Sequence, residues 1–231
     1  MPNFVLTPSN LVTHKSTIIN TLPELQARLN SLHPVLSLTL LREAITSGLN
    51  GREVSHASAP TAAGVQQWLK TVESLRTLLA TAKWHIHQHQ NSPFITSPNR
   101  DISIVVMTGS SETGKDDIDD PVNQAEKGAV TESFVERNSQ LELFNQNSLS
   151  LIKSNKQGTQ VWVLLYHYDK MKNEVRFELS FPIGFHKKKI TNWGERLILG
   201  SIPNNTNDFK ILQDESNIPP SVEVEPKTGV F

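Results

Sequence analysis

Residues Gln160 to Phe181 read QVWVLLYHYDKMKNEVRFELSF, and this stretch decides the fold. Its first half, Gln160 to Tyr168, is apolar at consecutive positions, the pattern of a central strand covered on both faces. Its second half, Glu174 to Phe181, alternates. Val175, Phe177, Leu179 and Phe181 point inward, and Glu174, Arg176, Glu178 and Ser180 point outward. With a turn at Asp169 to Asn173, the two halves form an antiparallel hairpin. A connection through His186-Lys187-Lys188-Lys189 and Asn192-Trp193-Gly194 leads to Arg196–Ile202, which has the length and composition of a further strand. Upstream, Ile102 to Met107 (ISIVVM) is a short continuous apolar run, again as expected for a strand buried on both faces.

The first hundred residues read as helical. Thr21-Leu22-Pro23-Glu24 has the form of a capping box opening a short helix that ends near Ser31, before His33-Pro34. Leu38, Leu41 and Ile45 space as a second helix, with Gly48 and Gly51 at its end. From about Thr61 to Lys83, residues Val65, Trp68, Leu69, Val72, Leu75, Leu79 and Ala82 recur at helical spacing and define the strongest helix of the chain. A modest helix is expected over Thr131 to Phe144, with Phe134, Leu141 and Phe144 as its apolar contacts. Helices first and a meander later predict an α+β fold: N-terminal helices on a small, mainly antiparallel sheet. A long acidic loop at 109–128 and an extended C-terminal tail at 203–231 complete it. The expected regions are 1–92 (helical), 93–202 (sheet) and the tail.

The chain has 231 residues, 37% of them hydrophobic, with no cysteine, so a packed core is affordable and disulfides and thiolate sites are excluded. No run approaches the roughly 18 apolar residues of a membrane span, and Met1 to Asn10 lacks the marks of a signal peptide, so a cytoplasmic location is expected. The net charge of -1 conceals segregation: +4 over 1–100, -7 over 101–150, +5 over 151–202 and -3 over 203–231. Local charged faces are therefore expected without a global field.

Three segments are candidate sites. Gly109-Ser110-Ser111-Glu112-Thr113-Gly114-Lys115-Asp116 resembles the phosphate-binding pattern G-x-x-x-x-G-K-[ST], in which backbone amides and the lysine hold phosphates. Asp116 replaces the hydroxyl residue, and Asp117, Asp119, Asp120 and Pro121 follow where a helix should open, so Gly109, Gly114 and Lys115 form an incomplete phosphate site. The carboxylates offer instead a surface for a hard cation, a basic partner or this chain's own basic segment. His85, His87 and His89 share a face if the segment is a strand, and His85 and His89 do so if it is a helix; either set suits zinc. His186, Lys187, Lys188 and Lys189, with Trp193 and Arg196, form a basic and aromatic patch for a protein partner or nucleic acid, extended by Lys153, Lys156, Lys170 and Lys172. No complete catalytic constellation is visible: G-x-S-x-G is absent, and the acid-x-lysine spacing of a metal-dependent nuclease fails at Glu178-Leu179-Ser180. The expected function is that of a non-enzymatic accessory or regulatory interaction protein of a larger complex, without a cofactor. The alternative is a phosphate- or metal-dependent enzyme, a nucleotide hydrolase or nuclease, built around Gly109–Asp120.

Overall fold

A computed structural model describes residues 15–117, 119–146 and 158–204. Lys153, Lys156 and the tail from 205 onward lie outside the described residues. Four helices, α1 (Leu22–Leu32), α2 (Leu38–Asn50), α3 (Ala62–Ala80) and α4 (Ala129–Gln146), surround one sheet. Its strands are β1 (Thr17–Ile19), β2 (His85–His89), β3 (Ser92–Thr96), β4 (Ile102–Thr108), β5 (Gln160–Asp169), β6 (Glu174–His186) and β7 (Lys189–Pro203). They lie in the order β1-β7-β6-β5-β4-β3-β2. The β1–β7 and β4–β5 pairs are parallel and the other four antiparallel, so the chain is α+β with its helices first. Among the described residues, no helix is long and apolar enough to cross a membrane.

The decisive stretch folds as its periodicity dictates. In β5, Trp162, Leu164 and Tyr166 face α1–α3 together with Leu29, Ile45, Leu75 and Leu79. The alternate residues Val161, Val163 and Leu165 face α4, where they meet Phe134, Val135 and Trp193. β4 divides its side chains in the same way, Ile104 and Val106 to one core and Val105 and Met107 to the other. Both apolar runs are therefore strands sandwiched between layers.

Several local expectations change. Gly48 lies inside α2, where an added Cβ would come within 2.8 Å of the Gln67 carbonyl oxygen, so it allows α3 to approach. Gly51 is the C-cap. The Thr21 hydroxyl caps no backbone amide and donates to Glu24 Oε2 at 2.7 Å instead. Asn192-Trp193-Gly194 lies within β7, and β1 and β2 bring the first 92 residues into the same sheet as the meander.

The largest correction concerns β6. Its alternation is as read, but its polar face is not wet: Arg176, Glu178 and Ser180 are buried. The acidic loop covers them. Arg176 donates from Nε to the Thr113 carbonyl (3.1 Å) and from Nη2 to that of Ser111 (2.7 Å), while Nη1 meets Asp169 at 3.0 Å. Glu178 accepts from Arg196 Nε and Nη2, from Ser180 Oγ and from the Gly114 amide. Asp120 takes Arg196 Nη1 at 3.2 Å. The -7 and +5 blocks thus meet each other within the molecule.

Lys187 and Lys188 form the two-residue turn between β6 and β7, with φ of 47° and 63°. That left-handed conformation costs an L-residue other than glycine or asparagine about 1–2 kcal/mol. The double substitution Lys187→Asn, Lys188→Gly is expected to stabilise the protein by about 1–2 kcal/mol in urea denaturation. The exposed Lys188–Glu126 ion pair that it removes contributes little.

Candidate functional site

The three segments singled out in the sequence end in different places. Gly109 begins the loop after β4, but no helix follows until α4 at Ala129, and the Gly114 amide is taken by Glu178. Lys115 lies near Glu112 (3.5 Å) and Asp117 (3.9 Å). The phosphate-loop geometry is therefore not formed, because its donors already serve this chain's own carboxylates. Trp193 and Arg196 are fully buried: the indole Nε1 donates to the Pro121 carbonyl at 2.7 Å, and the guanidinium is held by Glu178 and Asp120. Neither presents a surface to a base or a phosphate. Burial acts to lower the Arg196 pKa, but its bonds and charge contact with Glu178 and Asp120 outweigh this and raise it. Lys189 Nζ donates to the carbonyls of Asn123 and Gln124, and Lys188 pairs with Glu126. His186 and Lys187 are exposed at the hairpin tip. His85, His87 and His89 line one groove, yet among the described residues no group of three or more His, Asp or Glu is placed to hold a metal.

A different place has the character of a site. A cavity of about 650 Å³ opens at the carboxyl ends of the parallel strands β4 and β5, beside the first turns of α3. Two of its lining groups are buried donors without a partner. Gln67 is 1% exposed and Tyr166 is 2% exposed, and among the described residues neither Gln67 Nε2 nor Tyr166 Oη has a hydrogen-bond partner. The Gln67 amide orientation is set by Arg52, whose Nη1 donates to Oε1 at 2.7 Å. Arginine only donates, so the amide oxygen must face it and the NH₂ must face away. Each unsatisfied buried polar group costs about 1–3 kcal/mol, a cost natural folds rarely carry without a reason.

The remaining lining is one-sided in charge. Arg52, Lys127, Lys170 and His167 contribute, and among the described residues no Asp or Glu does. The Arg52 guanidinium stacks 3.6 Å from the Tyr168 ring centroid, which fixes it at the rim. Burial, and then the neighbouring Lys189, lowers the Lys127 pKa below the ordinary 10.5. Burial pushes the Tyr166 hydroxyl up, with Arg52 pulling the other way, so it stays protonated at neutral pH. The N-cap Thr61 makes no side-chain cap, and the first-turn amides of an α-helix carry partial positive charge. A cation-rich concavity with spare donors at a helix N-terminus suits an anion.

Sequence reasoning missed this site because its residues come from five separate segments and spell no motif. One signal was present in α3. Its periodicity assigns Val65 and Leu69 to the core, but these are 51% and 45% exposed, and Gln67 and Thr71 are buried in their place. A polar pair displacing an apolar stripe is the kind of local conflict that marks function. In comparisons with known proteins, no family model, no curated protein and no solved structure matches the chain.

Proposed function

We propose that the protein is a non-enzymatic regulatory binding protein that takes a small organic anion into the cavity between α3 and the β4–β5 ends. One observation carries this reading: Gln67 and Tyr166 line a cavity that has cations and, among the described residues, no carboxylate, and each keeps a covered donor there, Nε2 and Oη, without a partner among those residues. A phosphate or carboxylate would meet Lys127, Lys170 and the α3 amides, and an acceptor on the rest of the molecule would meet the two donors. The enzyme alternative draws no support from the hairpin, since Glu178 already accepts four hydrogen bonds and Asp169 is bound to Arg176. The accessory role expected from the sequence is kept, with the ligand as the regulating signal.

The test is a thermal-shift and calorimetry series with a nucleoside monophosphate, a sugar phosphate, an aromatic carboxylate and a dicarboxylate. A true ligand at a hundred times its Kd stabilises by about 2.7 kcal/mol. Tyr166→Phe then separates binding from folding. Without ligand the variant is expected to match or exceed the parent in stability, since it removes an unpaired buried hydroxyl. Its affinity should fall about tenfold, the value of roughly one hydrogen bond to an anionic ligand. A ligand-free Tyr166→Phe protein that is clearly less stable would show the hydroxyl to be satisfied internally and overturn the reading.

The pH dependence has a definite sign. An anion binds the protonated Lys127, so affinity should fall as pH rises through the depressed Lys127 pKa, below the ordinary lysine range. In Lys127→Arg, which keeps its charge, this early alkaline fall should vanish in the same calorimetric titration.

A further inference from the structure

The other end of the sheet offers a second surface, independent of the cavity. β2 is the last strand in the sheet order, and all five of its residues are exposed. Natural edge strands are usually blunted by lysine, proline, a bulge or a covering element. HIHQH has none of these among the described residues. Its turn, Gln90 and Asn91 with φ of 44° and 63°, is a two-residue hairpin loop closed by His89 and Ser92. In such a hairpin the closing pair and every second pair beyond it exchange the backbone bonds. His85, His87 and His89 therefore bond to β3, and the amides and carbonyls of Ile86 and Gln88 face the open edge.

The side chains alternate to match. The three histidines line a groove of about 550 Å³ beside α4, floored by Phe94 and Phe134 and flanked by Arg100 and Arg137, with no Asp or Glu in its lining among the described residues. His87 is fixed there, stacked on Phe94 at 5.3 Å with its Nε2 2.7 Å from Thr96 Oγ1. Arg76 braces the strand from the opposite side through the carbonyls of His87 and Phe94. The surroundings of His87 are uniformly basic: burial, then Arg76, His89, Arg100 and His85, all lower its pKa. On the other face Ile86 is 52% exposed.

We propose that the outer edge of β2 docks an extended acidic segment of a partner protein, added antiparallel as a further strand. Its carboxylates lie on the groove face, where Arg100 and Arg137 supply the positive charge, and its apolar residues pair with Ile86 and Gln88. Backbone bonds to the Ile86 and Gln88 edge hold the segment, and the basic groove selects its charge. Residues opposite Ile86 and Gln88 point their amides at β2, so only those amides matter for the ladder.

The test uses a fluorescein-labelled ten-residue peptide of alternating valine and glutamate, measured by fluorescence anisotropy on the full chain. Saturable binding is expected, with none for the valine–lysine counterpart. N-methylation of the valine amides should weaken binding by at least about tenfold, and N-methylation of the glutamate amides should leave it intact. The protein variant His85→Glu, His89→Glu should also lose at least about tenfold with an unchanged melting temperature. No binding of the valine–glutamate peptide, equal binding of the lysine peptide, or the same response to both methylation patterns would overturn the proposal. None of these readouts involves the cavity.

Discussion

Replacing Glu178 with alanine is expected to lower stability by about 3–5 kcal/mol, because it strands a buried guanidinium. Arg196 and Glu178 are both inaccessible, and their contact is 2.8 Å. The same carboxylate receives the Gly114 amide, so the acidic loop should loosen with it. The measurement is a urea transition monitored by tryptophan fluorescence, since Trp193 hangs from the Pro121 carbonyl of that loop. Replacing both partners, Glu178→Met with Arg196→Met, should recover most of the loss, because the one charge that loses its partner, Asp120, is 26% exposed and keeps its bond from Ser16. A double variant as unstable as the single one would show that the pair specifies the loop position rather than neutralising a buried charge.

Trp193→Ala is expected to cost about 3–5 kcal/mol, the range for emptying a large aromatic site in a core. The indole is fully buried against the α4-side core with Val163 and Leu165, and it gives its N–H to the Pro121 carbonyl at 2.7 Å. Trp193→Phe should recover most of the packing but lose that bond, at about 0.5–1.5 kcal/mol. The check is chemical denaturation of the three proteins. A Trp193→Ala protein with parental stability and altered nucleic-acid binding would restore the stacking role read from the sequence.

The two outcomes show what the sequence exposes and what it hides. The hairpin Gln160–Phe181 was legible because strand period is local: alternate residues at 175, 177, 179 and 181 need no distant information. Which face is wet is not local. Arg176 and Glu178 look solvent-facing until the loop containing Thr113, Gly114 and Asp120, some sixty residues upstream, closes over them. Trp193 misled for the same reason, since its cover is Pro121. His85 to His89 stayed ambiguous because period 2 and the i, i+4 spacing both group histidines; pairing with β3 decided it. The cavity was invisible as a motif because Arg52, Gln67, Lys127 and Tyr166 converge only in three dimensions. Only the polar intrusion at Gln67 and Thr71 hinted at it.

The parallel pairing of β1 with β7 joins Thr17 to Glu195, almost the whole chain apart. Arg28 of α1 donates two bonds, 2.6 and 2.7 Å, to the same Glu195. β1 and α1 therefore wait for β7 before they have a template. The β5–β6–β7 meander, whose partners are near in sequence, is the natural nucleus, and long-range closure of β1 on β7 comes late. A nascent chain that ends before Lys189 therefore holds β1 without its strand partner and Arg28 without Glu195.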